Sequence, residues 1–92
     1  MNTTARYLPL LMLCMLLMAC GADRALKQGD QLYATGDYFD AAAQYRKAYS
    51  QTSPKERTQR GQIALRQAEC YRRINYTARA ITAYRNALRY KQ

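Results

Sequence analysis

Three cysteines, Cys14, Cys20 and Cys70, are the side chains in this 92-residue chain whose type could support covalent or metal chemistry. The chain has no His, its cysteines are not paired at short spacing, and its six Asp and Glu residues are scattered. It therefore offers neither the usual general base nor the ligand set of a metal site. So short a chain also provides no deep pocket. We expect no enzymatic activity, no metal and no cofactor.

The amino-terminal residues 1–19 have the pattern of a targeting segment. A short polar start with a single cation, Arg6, precedes an apolar run over residues 7–18. About a dozen apolar residues are too few to cross the hydrocarbon layer as a helix, which takes about 20. The length and position match the core of a signal peptide that is removed from the mature protein.

The junction that follows, Leu17-Met18-Ala19-Cys20, resembles the lipobox of bacterial lipoproteins. In that class the Cys becomes the first mature residue and carries lipid. The resemblance implies a lipidated Cys20, a tether over residues 20–24 and anchorage in the bacterial cell envelope, at an outer membrane and facing the periplasm. An ordinary secretory signal, or a buried helix that happens to end in Cys, would explain the same residues. With Cys20 acylated and Cys14 removed, Cys70 has no disulfide partner, and we interpret it as a packing residue.

Downstream of Cys20 the sequence repeats itself. The segment 29–38 matches the segment 68–77, so equivalent positions are separated by 39 residues. Gly36 corresponds in this way to Asn75, and these residue types best tolerate a left-handed backbone at a helix end. Small and aromatic residues recur at the same spacing, with Ala41, Tyr45 and Ala48 matching Ala80, Tyr84 and Ala87. Such a period indicates a repeated supersecondary unit.

Apolar and small residues at helical spacing predict four helices, and no strand pattern competes with them. The turns within the hairpins are expected at Gly36-Asp37 and at Asn75-Tyr76. We therefore predict an all-α fold of two helix–turn–helix hairpins, at about residues 25–52 and 54–92.

Three helix starts carry residues of the types that cap helices. Ser53-Pro54-Lys55-Glu56 predicts a capping box, with Ser53 as N-cap, Pro54 at the first helical position and Glu56 reaching back. Asp37 and Thr77 are expected to cap the second and fourth helices in the same way.

These residues resemble the tetratricopeptide repeat, a 34-residue helix–turn–helix with small and aromatic residues at fixed offsets. The resemblance covers residues 22–92. The chain departs from the family pattern in its 39-residue spacing, in the absence of the family Trp and in Thr77 at the second-helix aromatic position. The resemblance implies two stacked hairpins, a fragment of an α-solenoid, which bind other proteins rather than catalyse a reaction.

The lipobox and the two matching segments together are also similar to the start of a multidomain family. These are PorE-type outer-membrane lipoproteins of the type IX secretion and gliding machinery, in which a repeat region precedes a β-propeller and an OmpA-like domain. The similarity extends over the repeat region only. It implies a scaffold role in a secretion or outer-membrane complex.

In tetratricopeptide proteins the first helix of each hairpin lines a groove that takes peptide segments. The resemblance therefore implies a protein-binding groove with mixed apolar and charged character. An alternative is that these are ordinary solvated positions. The groove candidates are Leu26, Asp30, Tyr33, Leu65, Glu69, Arg72 and Arg73.

Positive charge is concentrated in the second half of the chain. Residues 20–53 carry four basic and four acidic side chains, whereas residues 54–92 carry ten basic and two acidic, for a net charge of +8. Export from the cytoplasm argues against nucleic acid as the ligand. An alternative function is therefore a basic structural element that binds anionic cell-wall polymer or lipid headgroups. A solvated Arg-rich helix face would account for the same charge.

The end of the sequence also predicts an uncovered apolar surface. Ile81, Leu88 and Tyr90 are expected on the outside of the fourth helix, and two hairpins are fewer than a stable repeat array usually needs. We expect this surface to require another domain, subunit or partner.

Overall fold

The computed structural model describes residues 21–90, which form an all-α fold with four helices and no strand. Helix α1 covers residues 21–34, α2 covers Tyr38–Gln51, α3 covers Arg57–Arg73 and α4 covers Thr77–Arg89. The predicted fold class, helical hairpins without strands, is confirmed. The predicted signal segment and Cys20 lie outside the described residues. Within residues 21–90, no helix combines the length and apolar character needed to cross a membrane.

The two hairpin turns are built in the same way. Gly36 and Asn75 have positive φ angles of 82° and 63°, as their residue types predicted. After α1, the Asp37 N–H donates to Leu32 O at 2.9 Å and the Gly36 N–H to Tyr33 O at 3.1 Å. This pair of bonds is a Schellman motif, in which a left-handed residue lets the chain satisfy the last carbonyls of a helix.

The turn between α3 and α4 repeats these bonds one hairpin later. The Tyr76 N–H donates to Tyr71 O at 2.9 Å, and the Asn75 N–H donates to Arg72 O at 3.1 Å. Each acceptor and donor lies 39 positions after its counterpart in the first turn. The repeat seen in the sequence is therefore a repeat of backbone geometry.

The predicted capping box is wrong. Helix α3 begins at Arg57 with Glu56 as its N-cap, and no side chain caps it. Ser53 instead belongs to a local turn, in which its carbonyl accepts the Glu56 N–H at 3.0 Å and its hydroxyl accepts the Lys55 N–H at 3.3 Å. A Ser hydroxyl can accept a backbone N–H either in a turn or at a helix N-terminus, and Ser53 accepts one in the turn.

The other two predicted caps are also not made. Asp37 is the N-cap of α2 but caps nothing with its side chain, because its carboxylate accepts the Thr35 hydroxyl at 2.8 Å. Thr77 is already the first residue of α4, and Tyr76 occupies the N-cap position without a side-chain bond. Residue type therefore placed the start of α2 correctly and that of α4 one residue late, but it did not predict which hydrogen bonds the side chains make.

Small side chains let the helices approach closely around one large ring. Helix α3 packs against both α2 and α4. Tyr45 is 2% exposed at the centre. A methyl group on Gly29 would stand 2.7 Å from Tyr45 Cε1, so α1 can pass this ring only with glycine there. Around it the core consists mainly of Ala25, Ala41, Ala42, Ala48, Ile63, Ala64, Ala68, Cys70 and Tyr71.

Candidate functional site

A tyrosine–carboxylate hydrogen bond occurs once in each hairpin, at equivalent positions. The Tyr45 hydroxyl donates to Asp30 Oδ1 at 2.5 Å, and the Tyr84 hydroxyl donates to Glu69 Oε1 at 2.9 Å. The two partners are 15 residues apart in both cases, and each bond joins the first helix of a hairpin to its second. The two hairpins therefore offer two copies of one site.

The first copy is covered by α3. The Arg66 Nη1 atom lies 3.4 Å from Asp30 Oδ1, which links α3 to the Tyr45–Asp30 pair. Burial, followed by the bond to Asp30, raises the pKa of Tyr45 well above its usual value. This phenol stays protonated and serves as a hydrogen-bond donor, because ionisation beside a carboxylate inside the core would be unfavourable.

Four of the predicted groove residues meet at this covered copy. A cleft of about 410 Å³ between α1 and α3 is lined by Asp30, Tyr33, Leu65 and Glu69, together with Tyr45 and Arg66. Residues from the first helices of both hairpins therefore line one cleft, and its use as a protein-binding groove stays a prediction. Tyr45 and Arg66 were not among the candidates.

The other three candidates lie outside that cleft. Leu26 is half-buried and packs against the core. Arg72 binds its neighbour Glu69 through Nη2 at 2.7 Å and Nε at 3.0 Å. The Arg73 guanidinium lies 5.4 Å and 5.3 Å from the ring centres of Tyr33 and Tyr38. Both arginines are therefore engaged within the protein, and Leu26 serves packing.

Glu69 accepts bonds from both sides in the second copy. The hydrogen bonds from Arg72 and then from Tyr84 hold the pKa of this carboxyl below its usual value near 4.5. Burial and the bond to Glu69 raise the pKa of Tyr84. The ionised carboxylate is thus fixed at the junction of α3 and α4, at the position that Asp30 has between α1 and α2.

The second copy is open on its outer side. A cleft of about 620 Å³ runs between α3 and α4. Leu65 is 45% exposed and Leu88 is 63% exposed along it, and Tyr84 is only half-buried. The residues that line it are Thr58, Gly61, Gln62, Leu65, Tyr84, Ala87, Leu88 and Tyr90. Monomeric soluble proteins rarely leave a large contiguous apolar surface exposed. Such a surface therefore usually marks an interaction site.

The expected apolar surface on α4 is confirmed for two of its three residues. Ile81 is 46% exposed and Leu88 lies on the open cleft. Tyr90 differs, because Arg60 Nη1 donates to its hydroxyl at 3.0 Å and the Tyr49 hydroxyl approaches it at 3.5 Å. The ring is half-buried and fastens the end of α4 to α2 and α3.

Arginines of the basic second half are used in these helix junctions. The Arg60 guanidinium lies 4.2 Å from the ring centre of Tyr49, and Arg57 Nη2 donates to Arg89 O at 3.0 Å. Both side chains come from the first turn of α3. Part of the charge excess therefore helps to hold the helices together through cation–π contacts and a carbonyl bond.

Cys70 is fully buried at the α2–α3 contact. Burial raises the pKa of its thiol to about 11, so the unreactive protonated form is present at neutral pH. Its interpretation as a packing residue agrees with this environment. Among the residues that the structure describes, no group of three Cys, Asp or Glu side chains is placed to hold a metal ion.

Sequence reasoning missed the tyrosines at the centre of both copies as site residues. A signal for them existed: the Asp30–Tyr45 and Glu69–Tyr84 pairs share one internal spacing and repeat at the 39-residue period. Arg66 carried no such signal, because its role depends on how α3 crosses the first hairpin. No family model, curated protein or solved structure matches this chain at a significant level.

Proposed function

We propose that this chain is a non-catalytic, TPR-like protein-interaction module that lipid on Cys20 anchors in the bacterial cell envelope. In this proposal the α3–α4 cleft holds a helix of another envelope protein, and the module acts as a scaffold in a secretion or outer-membrane complex. The observation that carries the proposal is the difference between the two copies of the tyrosine–carboxylate site. Tyr45 is 2% exposed beneath α3, whereas Tyr84 is half-buried and lines an open cleft.

The first hairpin supplies the template for the missing occupant. There α3 lies over Tyr45 and brings Arg66 to Asp30. A helix placed on α3 and α4 in the same manner would cover Tyr84 together with Leu65 and Leu88. Burying a Leu side chain of this size contributes about 1.5–3 kcal/mol. Two such residues, with Ile81 at the margin, supply a central apolar anchor of the kind that dominates protein interfaces.

Charge argues for a different protein rather than a second copy of this chain. On the α4 side of the cleft, Arg85 lies one helical turn from both Ile81 and Leu88. Arg89 lies one turn further along the helix. Arg57 lies beside Arg89 at the same end. Pairing this face with itself would bring these cations together, which is unfavourable. The partner that fits is an amphipathic helix with an apolar stripe flanked by carboxylates.

Site-specific photo-crosslinking in cells tests the partner proposal. A photoreactive residue at Leu88 should give a discrete crosslinked band, and Leu65→Glu should remove it because a charge then enters the cleft. The matched control is a photoreactive residue at Lys27, which is exposed on α1 and does not line the α3–α4 cleft. Absence of a Leu88 band, or the same band from Lys27, would contradict the proposal. A band at twice the mass of the chain would assign a second copy instead.

Mass spectrometry of the membrane fraction tests the anchor separately. We expect a mature chain that begins at Cys20 and carries acyl groups, and loss of that species in Cys20→Ser. An unacylated chain that begins elsewhere would refute the anchor and leave the helix-binding proposal standing.

A basic-face function for the second hairpin has less support. Most of its arginines are held by tyrosine rings, carboxylates or a carbonyl of the same chain, and carboxylates neutralise two of them, Arg66 and Arg72. The arginines held in this way are Arg57, Arg60, Arg66, Arg72, Arg73 and Arg79.

A further inference from the structure

A second depression, the α2–α4 cleft, lies on a different side of α4 from the open α3–α4 cleft. It has a volume of about 440 Å³. Its lining includes the α2 residues at positions 39, 43, 46, 47 and 50, which lie along one face of that helix. The polar and aromatic residues of its lining are Phe39, Arg46, Lys47, Ser50, Tyr71 and Arg79.

Three cations of this cleft, Arg46, Lys47 and Arg79, have no carboxylate partner within residues 21–90. The ion pairs in that part of the chain belong to Arg66 and Arg72. Like charges gathered without counterions repel one another and attract an anion from solution. The Ser50 hydroxyl already donates to the carbonyls of Arg46 and Lys47, so the three cations are the donors of this cleft. Their chemistry suits a phosphate ester, which accepts several charge-assisted hydrogen bonds at once.

Arg79 is held in place without being neutralised. Its guanidinium carbon lies 5.9 Å from the ring centre of Tyr71 and 5.7 Å from that of Tyr76. Tyrosine rings orient a guanidinium through its face and leave the N–H donors at its edge free. No hydrogen bond within the described residues uses those donors, so they remain available to a ligand.

Exposed aromatic rings border the cations. Phe39 is 54% exposed and Tyr76 is 43% exposed, with ring centres 6.1 Å apart in an edge-to-face contact. Aromatic rings beside Lys and Arg are the residues that favour the headgroup layer of a membrane, where rings meet the acyl boundary and cations meet phosphate. This border distinguishes the cleft from a site for a free ion.

The cleft also lies close to the predicted point of attachment. Gly21, which directly follows Cys20, lies against the Gln51 side chain, so a Cβ added there would stand 3.3 Å from Gln51 Oε1. Ser50, its neighbour at the end of α2, lines the cleft. A lipid chain on Cys20 would thus hold the end of α2, and with it one end of the cleft, near the bilayer, and stable anchoring takes a second signal beside the lipid.

We propose that the α2–α4 cleft binds the phosphate of an anionic lipid headgroup and lays this face of the protein on the membrane. The binding site is independent of the α3–α4 cleft, and its residues come from both hairpins. It does not require the lipid on Cys20, which would only add to it.

The test compares two triple variants of the full chain. The cleft variant carries Arg46→Gln, Lys47→Gln and Arg79→Gln. The control loses the same charge from exposed positions elsewhere, through Lys27→Gln, Lys55→Gln and Arg85→Gln. For each, binding is measured to vesicles of phosphatidylglycerol with phosphatidylcholine and to vesicles of phosphatidylcholine alone. The ratio of the affinities for the two vesicle types cancels the contribution that the apolar residues 7–18 make to binding.

The cleft variant should lower this ratio by on the order of a hundredfold, from the loss of three cations at the surface. The control variant should lower it less than about tenfold, because long-range attraction is screened by salt. Equal reductions in the two variants, or no preference of the unaltered chain for phosphatidylglycerol, would overturn the proposal. Circular dichroism of both variants checks that the helices persist.

Two further measurements identify the source of the phosphate and keep the variants interpretable. The Arg79 Nε–H resonance should shift with phosphatidylglycerol in micelles more strongly than with inorganic phosphate, and equal shifts would assign a free anion and refute the lipid. Phe39→Ser, which leaves every cation in place, should weaken vesicle binding several-fold through its lost ring. The Leu88 crosslink should survive the cleft variant, so failure of one proposal is separable from failure of the other.

Discussion

In the first hairpin α3 closes over the tyrosine–carboxylate pair, whereas in the second hairpin the equivalent pair lies at the edge of an open cleft. Tyr45 is 2% exposed and Tyr84 is half-buried, although both make the same bond to a carboxylate 15 residues before them. The sequence positions are equivalent, so the difference comes from what packs on each hairpin. One hairpin has its covering helix, and the other presents the surface on which such a helix would rest.

Under the proposed function, this difference assigns one copy of the repeat to stability and the other to recognition. The covered copy contributes its apolar area to folding. The open copy leaves its apolar area exposed, and this is the area that the proposal gives to a partner. Small domains have little apolar area to divide between the two uses. The variants below test whether the two hairpins differ in this way.

The largest expected effect comes from removing the two tyrosines. Tyr45→Ala should lower the free energy of unfolding by about 3–5 kcal/mol, as for other large buried rings. Tyr84→Ala should lower it by about 1 kcal/mol, because part of that ring is already in water. Urea unfolding followed by circular dichroism measures both. Equal losses would mean that Tyr84 is covered in solution and would abolish the distinction between the hairpins.

The next largest effect is expected from exchanging the small residues at the equivalent positions 29 and 68. Gly29→Ala should destabilise by about 1–3 kcal/mol, because the added methyl would stand 2.7 Å from the Tyr45 ring, inside a packed core. The equivalent residue of the second hairpin is already Ala68, and Ala68→Gly should destabilise by about 1–2 kcal/mol, through helix propensity and the loss of a buried methyl group. Thermal unfolding of both variants checks this. A neutral Gly29→Ala would show that α1 can move away from the ring.

A smaller effect is expected at the two turns, where the hairpins reach one geometry with different residues. Gly36→Ala should cost about 1–2 kcal/mol, the strain of a left-handed backbone in a residue with a Cβ atom. Asn75 already carries part of that strain, so Asn75→Ala should cost less than Gly36→Ala and Asn75→Gly should be neutral or stabilising. Differences in Tm among the three variants provide the measurement, and a stabilising Gly36→Ala would contradict the structure.

The smallest effect is a pH dependence in the acidic range that comes from Glu69 of the second copy. Since its partners lower the pKa of Glu69 in the folded state, the ionised carboxylate stabilises the fold above its unfolded value near 4.5. That contribution is lost as the pH falls through the lower folded pKa. We expect the stability of the unaltered chain to decline more steeply in this acidic range than that of Glu69→Gln. Parallel curves would show that the Arg72 and Tyr84 bonds do not persist in solution.

The fold could be predicted largely because it rests on local properties. Apolar spacing along each helix is a property of a few turns, and the positive φ angles of Gly36 and Asn75 follow from the chemistry of those two residues. The burial of Cys70 followed from its place on a helical stripe. The predicted caps failed for an equally local reason: Ser53 and Asp37 each had a competing turn bond nearby, and sequence does not rank the two.

The candidate site was predictable only in part. The resemblance to the tetratricopeptide repeat implied that the first helices of the two hairpins share a groove, and Asp30, Tyr33, Leu65 and Glu69 line one cleft. The roles of the arginines could not be predicted, because each depends on a ring or carboxylate brought near by packing. Arg66 reaches across from α3 to α1, and no spacing along the chain encodes that contact.

The sequence by itself therefore determined the helices, their turns and the repetition of the tyrosine–carboxylate pair, since these depend on residues within a few turns of one another. Only the tertiary structure decided that one pair is covered and the other open, and that Arg46, Lys47 and Arg79 gather around one cleft. The physical reason is that burial and charge clustering are properties of neighbours in space. The chain sets those neighbours through the packing of whole helices, and Tyr45 and Tyr84 differ for that reason alone.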